Sequence, residues 1–214
     1  MKAKRLAVMG LFVALLSVGA HLQIPIPTPL GNMPLTFQTA IAAFAAMLLL
    51  PLESLATMAI YLGLGLCGLP VFANGGGLGY WLLFPTFGYL IGFALGTPLG
   101  ALYLNRKPSA GRMAQPARGL FAPIETGEGQ RPERLRFGQC LVAGIVVVLV
   151  TFGCGIGYTW WHTRFIIGTP IAASSLITAL TALLYLKDIL LVVLVATLAP
   201  RLRKHIDVPS SDTE

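Results

Sequence analysis

Residues 37–72, FQTAIAAFAAMLLLPLESLATMAIYLGLGLCGLPVF, carry one formally charged side chain, Glu53. The same scarcity of charge extends from Leu6 to Asn105, where Glu53 is still the sole formal charge. A helix that is apolar all round has no face to offer water, so this stretch is solvated by lipid. The whole chain agrees: 56% of its 214 residues are hydrophobic, 11% are charged and the mean hydropathy is +0.78. Soluble domains carry roughly a quarter charged residues. The expected fold class is all-α: a polytopic membrane bundle forming a single domain over residues 1–214, with no room for a separate catalytic domain.

The apolar runs predict six transmembrane helices at about 6–23, 37–52, 54–72, 82–104, 137–159 and 186–200, several of them shorter than the ~20 residues of a perpendicular span. Residues 1–5 (MKAKR) are basic, Leu6–Ala20 are apolar, and the run ends Ser17-Val18-Gly19-Ala20, which has the form of a signal peptide. Further apolar segments follow instead of a soluble domain, so an uncleaved first helix is expected. Orientation follows from the basic residues. Three lie at the N-terminus, seven in 105–136, three in the tail (Arg201, Arg203, Lys204) and two, Arg164 and Lys187, on the other side. Cytoplasmic loops carry the excess of Lys and Arg. Both termini and the 105–136 loop are therefore expected in the cytoplasm, which an even number of spans requires.

The 105–136 loop, rich in Pro, Gly, Arg and Glu, is expected to be flexible and coreless. The net charge of +7 invites a nucleic-acid surface, but the basic residues sit in short clusters beside apolar segments, and no nucleic-acid partner is expected. On the outward side, Pro25, Pro27, Pro29 and Pro34 lie between His21 and Thr36 and should keep that segment extended and stiff. Gly75-Gly76-Gly77, within 68–80, rules out a continuous helix there. Irregular backbone at membrane depth must be satisfied by protein or by a wet cavity, so the outward half is expected to hold a cavity. Residues 172–184 could form a short helix capping it, and Trp160 and Trp161 suit the membrane interface.

Other patterns carry less. Gly63-Leu64-Gly65-Leu66-Cys67-Gly68 matches GxGxxG in letters, yet it sits in an apolar span and runs into Pro70, without the strand and acidic residue of a dinucleotide site. There is no GxxxxGK[ST], HExxH or GxSxG, and His21, His162 and His205 are scattered. The three cysteines, Cys67, Cys140 and Cys154, fit no metal spacing and read as small hydrophobes. No enzyme activity, metal or cofactor is expected. Gly88, Gly92, Gly96 and Gly100 form a four-residue repeat, a flat face for another helix, either inside the bundle or in a partner. Gly10 and Ala14 form a smaller pair of that kind.

Polar groups near the outward side are few. Asp188 opens the last span; an unpaired Asp at the bilayer centre costs about 2.5–3.5 kcal/mol, so it is either functional or an interfacial partner of Lys187 or Arg164. Asn74 offers a donor and an acceptor or is a turn residue. Thr36 and Gln38 stand at the start of the second span, where helix capping is the plain alternative.

Four segments then resemble one family in order and spacing. Pro34-Leu35-Thr36-Phe37-Gln38-Thr39 resembles the P-[IL]-T-x-Q-T element of the BioY family, the biotin-specific substrate-binding (S) components of energy-coupling factor (ECF) transporters. Gly68-Leu69-Pro70-Val71-Phe72 is similar to its G-x-P-V-F segment. Pro85-Thr86-Phe87-Gly88-Tyr89-Leu90-Ile91-Gly92-Phe93 resembles its G-P-T-x-G-Y-[LI]-[LI]-G-F element, with Phe84 in place of the first glycine. Asp188 falls where the family has an Asp opening its last helix; Leu191 occupies the usual Lys position of D-x-x-K, and Lys187 precedes the Asp.

The resemblance implies a six-helix S component that binds biotin for uptake across the bacterial cytoplasmic (inner) membrane. Its partners would be a transmembrane coupling subunit and two cytoplasmic ATPases. It points to Gly10 and Ala14 as contacts with the coupling subunit. The implied substrate-binding set is Asp188, Asn74, Thr36, Gln38, Phe72, Trp81, Thr86, Tyr89, Lys187 and Arg164, with Asp188 accepting ureido N–H groups and Tyr89, Phe72 and Trp81 forming apolar walls. Which basic residue meets the biotin carboxylate stays open. The competing class is a secondary transporter of another small metabolite.

Overall fold

The structure, a computed structural model, describes residues 2–28, 31–106, 136–168 and 179–206. Its elements in order are α1 (Lys2–His21), β1 (Gln23–Thr28), β2 (Gly31–Thr36), α2 (Gln38–Leu48), α3 (Pro51–Leu66), the single turn α4 (Tyr80–Leu83), α5 (Phe87–Arg106), α6 (Phe137–His162) and α7 (Ala179–Ile206). Six long or medium helices thus run alternately up and down, as the apolar runs predict. Among the described residues, α1, α5 and α6 are long and apolar enough to cross a membrane, and α2 and α3 are shorter apolar helices.

The boundaries depart from the sequence reading where local chemistry intervenes. The expected span 82–104 is broken: Phe84 is extended (φ −120°, ψ 118°), as the residue before a proline tends to be, so Pro85 separates α4 from α5. The expected span 54–72 stops at Leu66 because Gly68 turns the chain at φ 104°, a conformation that needs no Cβ. The last span begins at Ala179 rather than 186. Part of the expected capping helix at 172–184 is therefore the start of α7, and 172–178 lie outside the described residues, as do 107–135 of the basic loop. The proline-rich segment is extended as expected, but it also pairs with itself. β1 and β2 form an antiparallel hairpin with Gln23 opposite Thr36 and Pro25 opposite Pro34. A two-stranded ribbon has only edge strands, where a missing N–H is tolerated.

Helix α2 is the axis of the bundle. Ala40, Ala42, Ala43, Ala45 and Ala46 are all buried, and α1, α5, α6 and α7 pack around it. Small side chains let several helices approach one centre. The sole charge of residues 6–105, Glu53, sits in the first turn of α3, where its carboxylate accepts the Leu50 N–H (3.0 Å) and pairs with Arg5 of α1 (3.4 Å). A carboxylate at a helix N-terminus is favoured by the helix dipole, and the contact ties α3 to the N-terminal end of α1.

The glycine repeat of α5 faces α6. A Cβ at Gly88 would come within 2.3 Å of the Tyr158 Cβ, and one at Gly92 within 2.5 Å of the Thr151 Cα. Of the two alternatives for this row, packing inside the bundle is the one realised. Gly10 is different. A Cβ there meets nothing within 4 Å, and Ala7, Gly10, Ala14 and Val18 lie on an exposed face of α1.

Candidate functional site

At the end of the bundle opposite the N-terminus lies a pocket enclosing about 640 Å³ of empty space, the open solvent at its mouth included. Five pieces of chain build it. The hairpin end and the start of α2 supply Pro34, Leu35, Thr36, Gln38 and Thr39; the glycine-rich segment after α3 supplies Ala73; the α4–α5 region supplies Tyr80, Thr86, Tyr89, Leu90 and Phe93; α6 supplies Phe152; α7 supplies Lys187 and Asp188. Each polar group has a structural reason to be there. Thr36 ends β2, so the chain enters α2 at the pocket rim with Gln38 and Thr39 in its first turn. The break at Pro85 turns Tyr80 and Thr86 toward the same space as Tyr89.

Asp188 is buried, with a side-chain exposure of 3%, and its Oδ1 lies 2.8 Å from the Lys187 ammonium. Oδ1 is shielded from solvent and has no well-aligned hydrogen bond; neighbours in sequence point in different directions on a helix, so the ion pair is close but skewed. The Lys187 ammonium also donates to the Thr36 carbonyl, which pins α7 to the hairpin. The Thr39 hydroxyl faces the Asp188 carboxylate. Of the two partners considered for Asp188, Lys187 is the one in contact. Arg164 is exposed, with its guanidinium 5.8 Å from the centre of the Trp160 ring.

The aromatic residues divide into wall and support. Tyr89 and Phe152 meet edge to face, with ring centres 5.7 Å apart, and both line the pocket. Phe72 is fully buried behind the wall, between Tyr61 (5.4 Å) and Tyr80 (4.9 Å). It fills the space above Gly65, where any Cβ would collide with its ring. Trp81 is 42% exposed, and its carbonyl accepts a hydrogen bond from Tyr158. Two further bonds run from α6 to this segment: Thr159 donates to the Pro85 carbonyl (3.0 Å), and His162 Nε2 meets the Leu82 carbonyl at 2.8 Å. Together they clasp α4 against α6.

Of the ten residues singled out by sequence, the pocket brings together Thr36, Gln38, Thr86, Tyr89, Lys187 and Asp188. Asn74, Phe72, Trp81 and Arg164 are not in its lining; Asn74 is exposed in the glycine-rich turn beside Tyr80. Sequence reasoning missed Tyr80, Thr39, Phe93 and Phe152. Tyr80 and Thr39 adjoin chosen residues and were within reach. Phe93 and Phe152 look like any core aromatic in an apolar run.

The lining combines an acid, a base, an amide and several hydroxyls with aromatic walls. That set can hold a small molecule with an apolar body, hydrogen-bonding groups at one part and a charge at another. Among the described residues no cluster of His, Cys, Asp and Glu could hold a metal.

Comparison with known proteins bears on this arrangement. The fold matches the crystal structure of the S-component for biotin from an ECF-type ABC transporter, with a TM-score of 0.70 over 95% of this chain and 92% of that one, at 21% identity. The chain is 41% identical over 104 residues to a probable biotin transporter BioY of Lysinibacillus sphaericus, covering 49% of this chain and 50% of that protein. It is also 41% identical over 100 residues to the biotin transporter BioY of Thermotoga maritima, covering 47% and 57% respectively. The aligned part thus spans about half the length of these curated relatives. A sequence profile of the BioY family matches residues 1–208, nearly the whole chain, and this multi-pass membrane protein belongs to the BioY family.

Proposed function

We propose that this chain binds biotin with high affinity as the S component of an ECF-type transporter and carries it across the cytoplasmic membrane. The observation that supports this most directly is the pocket itself: a buried Asp188 paired with the half-buried Lys187, and the Gln38 amide, beside aromatic walls, in a chain of the BioY family. Biotin offers a ureido head with two N–H donors and a carbonyl, an apolar thiophane ring and a carboxylate tail. Asp188 accepts from the urea, Thr36, Thr86 and Tyr89 offer hydroxyls to its carbonyl, and Lys187 is the basic group within the lining. Asn74, Trp81 and Arg164 join the set only if the 67–84 segment or the turn Thr163–Ile167 that follows α6 closes over bound ligand; Phe72 acts by backing Tyr80. The role is transport, with no cofactor. The purified protein in detergent should contain or bind biotin, and an excess of a vitamin lacking a urea should not displace it. Absence of binding under these conditions rejects the reading. A secondary transporter would instead move substrate in liposomes holding this chain alone, driven by a proton gradient.

Both termini lie in the cytoplasm on this reading, and the pocket opens outside. Native Cys67, exposed at the C-terminal end of α3, reports on this without a new reporter. A membrane-impermeant maleimide should label intact cells, and Cys67→Ser should abolish that signal. In that Ser background, Arg118→Cys should label only after permeabilisation. The opposite pattern reverses the topology.

The transmembrane coupling subunit docks on the exposed face of α1 that carries Gly10 and Ala14, and two cytoplasmic ATPases supply the energy. Gly10→Leu or Ala14→Leu should leave biotin binding intact and weaken co-purification of the coupling subunit several-fold, because bulk blocks close helix approach. Loss of binding with normal assembly would instead assign these residues to the bundle.

A further inference from the structure

Tyr61 lies in α3, fully buried and outside the pocket lining. Its hydroxyl donates to the Val71 carbonyl at 3.0 Å, and the Gln38 amide nitrogen lies 2.6 Å from the same oxygen. A phenol has one proton. In the structure that proton is given to the Val71 carbonyl, which has only lone pairs to offer. What Tyr61 shows Gln38 is therefore a lone pair, and the amide must answer with its NH₂. Oxygen and nitrogen of an amide are told apart by their hydrogen-bond network; this orientation serves both the phenol and the Val71 carbonyl, whereas a flipped amide would take the phenol's proton from that carbonyl or oppose lone pair to lone pair. The NH₂ is turned back to α3, which leaves the amide oxygen as the end available to the cavity that Gln38 lines.

The other acceptor at the site needs help. Asp188 Oδ1 is shielded and faces Lys187, so a ligand meets one carboxylate oxygen rather than two. A cyclic urea carries two N–H donors, and a buried donor left without a partner is costly. We propose that Tyr61 is a positioning residue for ligand recognition. It locks Gln38 with its amide oxygen toward the pocket, and Gln38 and Asp188 each accept one ureido N–H. The assignment rests on the biotin reading above and adds to it a residue that never touches the ligand. It makes the pocket selective for a donor–donor edge, because a Gln38 free to rotate would present NH₂ to the urea as readily as oxygen.

The relay is tested by a double-mutant cycle read in biotin affinity, using full-length protein purified in detergent. Tyr61→Phe removes the hydroxyl and keeps the ring that packs on Phe72. Gln38→Met keeps the length of the side chain and removes both polar ends. Each single substitution should weaken biotin binding about ten-fold. In the Gln38→Met background, Tyr61→Phe should cost nothing further, since the phenol acts through the amide. Melting temperatures of the ligand-free variants separate this from general destabilisation, which would leave the affinity of the folded fraction unchanged. Wild-type affinity in Tyr61→Phe overturns the relay, as do losses that simply add in the double variant. A wild-type protein that binds no biotin overturns the functional reading, and the relay with it.

Discussion

Asp188→Ala should weaken biotin binding by ten-fold to a hundred-fold or more, measured by titrating labelled biotin into purified, monodisperse protein. A hydrogen bond to a charged acceptor contributes about 1.5–3 kcal/mol, and Asp188 is the acid of the pocket lining. The ion pair with Lys187 makes a competing forecast. If the carboxylate serves only to neutralise that lysine, its removal leaves a cation in an apolar setting and lowers yield or stability. The affinity of the folded fraction would then stay at the wild-type value. Two features of the pair weigh against this outcome. Lys187 keeps a second partner in the Thr36 carbonyl, so it is not stranded when Asp188 is lost. The skewed contact also leaves acceptor capacity on the carboxylate that Lys187 does not use. Asp188→Asn separates charge from shape: it preserves one acceptor and adds an NH₂ that repels a ureido N–H, so it should bind poorly while folding better than the alanine variant.

The parts of this molecule that can be read from sequence are those where a single physical demand dominates. Lipid solvation demands apolar surface on every side, and one charge in a hundred residues is enough to recognise it. An acid at the head of an apolar span is expensive, so Asp188 is conspicuous from its neighbours in the chain alone. Pro85 is equally visible, yet the hydropathy of 82–104 is continuous across it, and only the extended Phe84 shows that the helix restarts. The hairpin is harder. Its prolines announce an extended chain but remove the N–H groups by which pairing is usually recognised, and the register depends on residues a dozen positions apart. The pocket is half legible for a similar reason. Thr36, Gln38 and Thr86 are polar in apolar surroundings and can be picked out singly. Phe93 and Phe152 line the same space by virtue of where their helices cross, which no local pattern encodes. The buried Tyr61 likewise reads as core until the direction of its one proton is traced.

The glycine row tests the fold rather than the site. Gly92→Ala adds one methyl group, and in a helix that change alone is favourable by up to about 1 kcal/mol. Here the new Cβ would lie 2.5 Å from the Cα of Thr151 and 2.8 Å from its carbonyl oxygen. Backbone cannot turn aside as a side chain can, so α5 and α6 must separate, and they share the most extensive helix contact in the bundle. Overpacking of this kind costs typically 1–3 kcal/mol and sometimes more, which outweighs the helical gain. For a chain of this size, a net loss of about 2 kcal/mol lowers the melting temperature by roughly 4–8 °C. Gly92→Leu should prevent accumulation of folded protein altogether. Gly153 is the internal control: it lies in the middle of α6, where a Cβ meets nothing within 4 Å, so Gly153→Ala should be neutral or slightly stabilising. Equal tolerance of alanine at both positions would mean that the two helices are not held at this distance, and that the row of small residues on α5 serves a contact outside the bundle instead.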